Sequence, residues 1–149
     1  ELMAFETVGT GTDIKGALDV FRRVVTKRAV VFLISDFQAD GYDKTLRVVN
    51  LKHDLVAIAI SDPREGVLPN AGLVAVSDSE TGRPIVIDSG NAGVRRLFAD
   101  RFERECARTR ALLKQAGTEI LELSTGADYD RALLVFFRER ARRAVRAGA

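Results

Sequence analysis

The chain has 149 residues, enough for one domain with a hydrophobic core, and its 46% apolar and 30% charged content is typical of a globular protein. Its formal net charge is only +2. Five arginines against one glutamate give the last twelve residues a charge of +4, so residues 1–137 sum to −2, which argues against a broad nucleic-acid-binding surface.

The sequence carries no signal for membrane insertion or secretion. No apolar run approaches the length needed to span a bilayer, and no signal peptide is visible. The single cysteine, Cys106, cannot form an internal disulfide, which fits a reducing compartment. We therefore expect this segment to be cytoplasmic and to make no membrane contact. The start at Glu1 predicts a fragment or processed product, whose parent protein can carry a membrane anchor elsewhere.

The first predicted helix follows a loop. Glu1–Gly11 shows no periodicity and ends in Gly-Thr-Gly, which predicts a loop at that point. Apolar residues then recur at helical spacing from Ile14 to Val25. Thr12 or Asp13 is placed to cap this helix at its start.

Two similar strands follow, each ending in Ser-Asp. The short apolar run in Ala29–Ser35 is rich in β-branched residues, which predicts a strand buried on both faces with Asp36 at its carboxyl end. A helix is predicted between Tyr42 and His53. Leu55–Ile60 is a second apolar run and is followed by Ser61-Asp62. Strands that alternate with helices predict a parallel sheet covered by helices.

The second half adds a hairpin, a long helix, a third strand and a last helix. Leu73–Val76 and Pro84–Ile87 predict a β-hairpin whose turn lies at Asp78–Gly82. A long helix is predicted to begin at a cap, Asn91, and to end at Gly117. Glu119–Leu123 is predicted to be a strand near the sheet edge, and Asp128 is predicted to cap the last helix. Tyr129, Leu133, Phe136 and Phe137 are predicted to face inward. Residues 1–149 therefore form a single α/β domain with an inserted hairpin.

Thr12 and Asp36 are the most informative residues for function. A hydroxyl at a helix start and a carboxylate at the end of the next strand can converge above a parallel sheet, where ligands bind in such folds. Hard cations such as Mg²⁺ take oxygen ligands and keep several waters. The sequence thus predicts a metal site at Thr12 and Asp36. The alternative is that Thr12 is only a helix cap and Asp36 only ends a strand.

The ordered motifs resemble a known family. They are Gly11-Thr12-Asp13-Ile14 with Ala17-Leu18, Leu33-Ile34-Ser35-Asp36-Phe37, Asp62-Pro63-Arg64-Glu65 with Leu68-Pro69, and Leu121-Glu122-Leu123-Ser124-Thr125 with Asp128-Tyr129. This set is similar to the later half of a von Willebrand factor A domain, and more closely to the bacterial proteins of domain of unknown function 58.

The resemblance implies a three-layer, doubly wound, Rossmann-like fold with a metal-ion-dependent adhesion site. The threonine and aspartate of that site correspond to Thr12 and Asp36. Its Asp-x-Ser-x-Ser element is absent, so the chain resembles a partial domain, the C-terminal portion. We therefore expect Mg²⁺ or Mn²⁺ binding to be weak or absent in this segment. We also expect the strand Ala29–Ser35 to be an exposed edge that favours self-association.

Other polar residues have structural interpretations. Asp62 precedes a proline and suits a turn, while Ser124 and Thr125 suit the capping of the last helix. His53 suits stabilisation of a helix carboxyl end. Cys106 is predicted to be an inert core residue. The arginines of 138–146 are predicted to form a solvated, fraying helix end.

The adhesion site of the resembled family implies a non-enzymatic protein-interaction module, and we expect no catalytic residues. The resemblance implies a MoxR-type AAA+ ATPase as partner, in assembly or maturation. One alternative is a metal-dependent hydrolase that uses Asp36 and Asp62 as paired carboxylates. The other is a structural domain with a degenerate metal site.

Overall fold

The structure is a computed structural model that describes residues 12–77 and 84–147. The predicted loop at Gly9–Gly11 and the predicted hairpin turn at Asp78–Gly82 lie outside the described residues. The elements in chain order are α1 (Ile14–Val24), β1 (Val30–Ser35), α2 (Asp43–Lys52), β2 (Asp54–Ser61), a 3₁₀ turn (Pro63–Gly66), β3 (Leu73–Ser77), β4 (Pro84–Asp88), α3 (Ala92–Gln115), β5 (Glu119–Ser124) and α4 (Tyr129–Ala147).

The main sheet has three parallel strands in the order β1-β2-β5. Ser35 at the end of β1 lies opposite Ala59, and Ser61 at the end of β2 lies opposite Ser124. Strands β3 and β4 pair antiparallel as a separate hairpin. The predicted α/β class, the mostly parallel sheet and the inserted hairpin are therefore confirmed.

Helices cover both faces of the sheet, as predicted. One face packs against α1, α2 and the end of α3, and its core contains Ile14, Leu18, Leu46, Val49, Leu55 and Leu113. The opposite face is covered by α4, whose Leu133 and Phe136 pack on Val56, Ile58 and Leu121. Because β2 is central, its residues Leu55–Ile58 are buried on both faces.

Strand β1 differs from the prediction, because only one of its faces is buried. Val31 and Leu33 pack against the core, whereas Val30, Phe32 and Ile34 are 58%, 47% and 59% exposed. The reason is that α4 lies over β2 and β5 and touches β1 through an edge-to-face contact between Phe137 and Phe32, with ring centroids 5.8 Å apart. β1 and β5 are the two edges of the described sheet, so the expected edge positions are confirmed.

The last helix also departs from the prediction. Tyr129 and Phe137, predicted to face inward, are 60% and 38% exposed, because the stripe facing the sheet is made by Leu133 and Phe136. Its arginine-rich end is helical to Ala147, and Arg142, Arg143 and Arg146 there are exposed, as predicted. The Arg140 guanidinium ties this helix to the starts of two strands by pairing with Asp54 and, at 2.9 Å, with Glu119.

The long helix α3 begins and ends where its sequence predicts. The Asn91 side chain accepts a hydrogen bond of 2.8 Å from the Gly93 N–H, and Gly117 follows the helix in the left-handed conformation with φ of 72°. Its apolar stripe is buried only near its end, at Leu113 and Ala116, while Leu97 is exposed. In the described parts of the chain, no helix combines the length and apolar character needed to cross a bilayer.

Candidate functional site at the carboxyl end of the sheet

The carboxyl ends of the three parallel strands bring several polar side chains to one edge. Asp36 follows β1, Asp62 follows β2, and Thr125 follows β5. The register places Ser61 opposite Ser124, so Asp62 and Thr125 leave the sheet side by side. Ligands of open parallel sheets bind outside this edge, so this edge is the candidate functional site.

Asp36 is exposed, and half of its carboxylate is held in place. Its Oδ1 accepts hydrogen bonds from the Gln38 N–H at 3.1 Å and the Ser35 hydroxyl at 3.3 Å. The Ser35 hydroxyl oxygen in turn accepts a 3.0 Å hydrogen bond from the Phe37 N–H. Within the described residues Oδ2 receives no hydrogen bond, so it is left available for a ligand.

Phe37 fixes the backbone beside Asp36. It is the non-glycine residue with positive φ in the described chain, at 59°, and its side chain is 2% exposed. Its ring centroid lies 6.0 Å from that of Tyr42. A non-glycine residue in this region is strained by about 1–3 kcal/mol and persists only where the surroundings enforce it. The buried ring enforces it here, so the Asp36 loop is preorganised.

The Asp36 loop is also connected to α3. An ion pair of 3.0 Å joins Asp40 in the loop to Arg108 in the middle of the helix. Tyr42 is buried at the end of the same loop, and burial, with Asp40 adding to it, raises the pKa of the Tyr42 hydroxyl. The buried Tyr42 side chain therefore anchors the end of the loop, whereas the Asp40–Arg108 pair joins exposed side chains and contributes little.

Thr12 lies two residues before the start of α1 and is exposed. The helix cap is Asp13, whose Oδ1 accepts a 2.7 Å hydrogen bond from the Gly16 N–H. Of the two residues predicted to cap α1, Asp13 is therefore the cap. The Thr12 hydroxyl does not cap the helix. Thr12 and Asp36 are both described, and no hydrogen bond joins them.

The two predicted metal ligands carry oxygen donors of the type that hard cations bind. The Asp36 carboxylate and the Thr12 hydroxyl are hard ligands of the kind that Mg²⁺ accepts, and Mg²⁺ retains several waters when the protein supplies few ligands. Across residues 12–77 and 84–147, no three His, Cys, Asp or Glu side chains are grouped so that they could hold a metal ion. Asp36 and Thr12 thus have the chemistry of Mg²⁺ ligands, and the described residues do not enclose a complete metal site.

Both carboxylate oxygens of Asp62 are hydrogen-bonded to a neighbouring arginine. The Arg64 backbone N–H and Nη2 lie 2.9 Å from its Oδ1 and Oδ2 respectively, and Arg64 Nε lies within 3.3 Å of both oxygens. The hydrogen bonds from Arg64 lower the pKa of Asp62 to about 2. A carboxylate paired in this way is a poor second metal ligand, because the cation would have to displace the guanidinium.

The residues after β5 form a structural turn. The Thr125 N–H donates to the Ser61 carbonyl at 2.9 Å, and the Ala127 N–H donates to the Ser124 carbonyl at 3.1 Å. The helix cap is Asp128, whose Oδ1 accepts a 3.1 Å hydrogen bond from the Arg131 N–H, as predicted. The backbone of Ser124 and Thr125 thus closes the turn that precedes the cap.

His53 lies at the opposite end of β2, and Cys106 lies on α3. Only the backbone of His53 closes α2, through a 2.9 Å hydrogen bond from its N–H to the Val49 carbonyl. Its ring is buried against Phe21 with centroids 4.9 Å apart, and neither ring nitrogen has a hydrogen-bond partner among the described residues, so the predicted helix-end role of the ring is wrong. Cys106 is half-buried, and burial raises the pKa of its thiol, which fits an inert residue.

Sequence reasoning missed three residues that shape this region. Arg64 follows Asp62 by two residues, a spacing that could have revealed their pairing. Phe37 offers no sequence signal for its left-handed backbone, since that conformation is set by the buried ring. Arg140 reaches partners at the starts of β2 and β5 that are distant in sequence.

Comparison with known proteins shows the family and the relatives to which the chain is similar. The profile of a family described as "Protein of unknown function DUF58" matches residues 1–110. An uncharacterized protein of Mycobacterium avium is 32% identical over 141 residues, which cover 93% of this chain and 82% of that protein. An uncharacterized protein of Mycobacterium tuberculosis strain H37Rv is 31% identical over 144 residues, which cover 92% of this chain and 43% of that protein. The chain therefore spans less than half of this second relative. No solved structure matches the chain significantly.

Proposed function

The chain belongs to the DUF58 family of proteins of unknown function, and from its fold and the geometry of Asp36 we propose that it is a non-enzymatic protein-interaction module. The observation that carries the proposal is the exposed Asp36 carboxylate at the carboxyl end of β1, with one oxygen fixed by Ser35 and Gln38 and the other available. The resemblance to von Willebrand factor A domains supports a contact that depends on a divalent cation.

In this proposal Asp36 and Thr12 hold Mg²⁺ or Mn²⁺ at the edge of the sheet. The bound cation would supply an attachment point for a carboxylate of the partner protein. The preorganised loop at Phe37 keeps the Asp36 oxygen in place before the partner arrives, so little ordering entropy is lost on binding. Two protein ligands predict weak affinity for the cation alone, which a partner carboxylate would increase.

A MoxR-type AAA+ ATPase is the partner that we propose, in assembly or maturation. Its support is the family resemblance of the Asp62–Glu65 loop and of the residues around Thr12 and Asp36. Capture of such an ATPase by the immobilised chain in Mg²⁺ and its release by a chelator would support the assignment. Equal capture with and without the chelator would contradict the dependence on metal.

The hydrolase alternative is less well supported. It needs Asp36 and Asp62 as a pair of available carboxylates, and Arg64 occupies both oxygens of Asp62. A structural domain with a degenerate site is the stronger alternative, because the described residues lack a three-ligand cluster. The interaction module and the structural domain differ in whether Asp36 binds a cation.

Calorimetric titration with Mg²⁺ and Mn²⁺ tests this difference. The variant Asp36→Asn keeps the Oδ1 acceptor for Gln38 but removes the charge, so its affinity should fall about tenfold or more. Asp40→Asn is the matched control, because it removes the same charge from the same loop. Loss in Asp36→Asn alone supports the interaction module, whereas no binding by any of the three proteins supports the structural domain.

A further inference from the structure

The arginines of α4 fall into two sets. The first set pairs with residues at the starts of β2 and β5: Arg140 with Asp54 and Glu119, and Arg143 with Glu119 at 3.2 Å. The second set is exposed and forms no ion pair with any other described residue. Its members are Arg131, Arg138, Arg142 and Arg146. The first set helps to hold α4 on the sheet, whereas the second set is available to a ligand.

The second set forms one line along the outer surface of α4, and we call these four arginines the basic stripe. A helix turns by about 100° per residue, so the four positions fall within an arc of about 80°. Leu133 and Phe136 pack on the sheet from the other side of the helix. A rise of about 1.5 Å per residue makes the stripe about 22 Å long and places its last three arginines about 6 Å apart.

The basic stripe concentrates positive charge on a chain that is otherwise negative. Within α4, six arginines against Asp130 and Glu139 give a charge of +4. The whole chain carries only +2, so the residues outside α4 sum to −2. Arginine binds carboxylates and phosphates through paired hydrogen bonds, which favours an anionic ligand at this surface.

The shape of the basic stripe favours an acidic protein segment over a larger polyanion. In an extended segment, side chains on one side recur about every 6.6–6.8 Å, close to the separation of the arginines. Val135, 46% exposed, lies within the stripe and offers an apolar contact. A bilayer or a nucleic acid would extend past this single row to Glu139 and to the negative remainder of the chain, where its phosphates would be repelled.

We propose that the basic stripe of α4 binds an extended acidic segment of a partner protein, with Asp or Glu at alternate positions. Three successive carboxylates on one side of the segment pair with Arg138, Arg142 and Arg146. This contact needs no cation and does not use Asp36. It is therefore a second interaction surface, whose existence is independent of the proposed cation site.

A model peptide tests the contact. A fluorescent ten-residue peptide of alternating Glu and Thr should bind the chain in a chelator at low salt, measured by anisotropy, and should dissociate as salt is added. Arg138→Gln/Arg142→Gln should raise its dissociation constant about fivefold, because two exposed ion pairs are lost. Arg101→Gln/Arg104→Gln is the matched control, since it removes two exposed arginines from α3. The control should bind like the wild type.

Three outcomes would overturn the proposal. Absence of peptide binding at low salt would remove the contact itself, and equal weakening by both double variants would show that binding follows net charge alone. Tighter binding of phosphatidylglycerol vesicles or of a single-stranded oligonucleotide, lost in Arg138→Gln/Arg142→Gln, would assign the stripe to lipid or nucleic acid. Circular dichroism of each variant verifies folding. The chelator keeps the cation site out of the measurement, so the two proposals fail separately.

Discussion

Asp62 and Arg64, two residues apart, are joined by a hydrogen bond from the Arg64 backbone and by the Arg64 guanidinium, whose Nη2 lies 2.9 Å from Oδ2. Because these bonds lower the pKa of Asp62 from 3.8 to about 2, the charged carboxylate stabilises the folded state above pH 3.8. That stabilisation is lost as the pH falls toward 2. The side chains are partly in water, so the effect on unfolding is small.

Arg64→Ala should return the pKa of Asp62 toward its ordinary value, since the guanidinium hydrogen bonds are the largest cause of the shift. Carboxyl chemical shifts in an NMR titration from pH 6 to pH 2 would measure it. Arg101→Ala removes an exposed charge from α3 and should leave the Asp62 titration unchanged. A pKa that stays near 2 without Arg64 would show that other contacts hold it.

His53→Phe should increase the free energy of unfolding by about 1 kcal/mol, because the ring is 2% exposed and carries two nitrogens without a partner among the described residues. The phenyl ring preserves the edge contact with Phe21. Urea unfolding at neutral pH measures the change. His53→Ala is the comparison, and should destabilise by about 2–3 kcal/mol through lost packing. Destabilisation by both variants would indicate that the imidazole has a partner.

Gly117→Ala should destabilise the protein by about 1 kcal/mol, because Gly117 has φ of 72° and a side chain there is strained. The added Cβ would also lie 3.4 Å from Nδ2 of Asn50, whose amide donates to the Ala116 carbonyl. Gly117→Asn should cost less, since asparagine tolerates this conformation. Thermal unfolding of the two variants gives the comparison, and equal losses would point to crowding at Asn50 as the main cause.

Arg140→Ala should destabilise by about 1 kcal/mol, since it removes the ion pairs that tie α4 to Asp54 and Glu119. The loss should shrink in high salt, because the partners are partly exposed and are screened there. Chemical unfolding at low and high ionic strength measures both effects. Arg142→Ala, at an exposed arginine two residues further on, should change stability by less than about 0.5 kcal/mol.

Local chemistry explains what the sequence predicts well. Asn91, Asp128 and Gly117 act at helix ends through contacts within three residues, and the structure has them in those roles. The order of strands and helices follows from apolar runs and from turn residues, which is why the parallel sheet is predicted. At the candidate site, the position of Asp36 at the end of β1 is predicted for the same reason.

Contacts between distant segments explain the failures. The apolar run of β1 does not reveal that α4 leaves Val30 and Ile34 uncovered, because the run is the same whether one face is packed or both. The left-handed backbone of Phe37 follows from the burial of its ring beside Tyr42, which periodicity cannot show. Whether Thr12 and Asp36 share a ligand likewise depends on the placement of two separate elements.

The uncharged strand β1 also has a consequence for the unfolded chain. Six residues of high β-propensity with no charge, proline or glycine are the signature of segments that stack into cross-β fibrils. In a fibril with parallel, in-register strands, Arg28 would stack on Arg28 and Asp36 on Asp36, and these like charges would repel. The two flanking residues therefore act as gatekeepers against fibril growth.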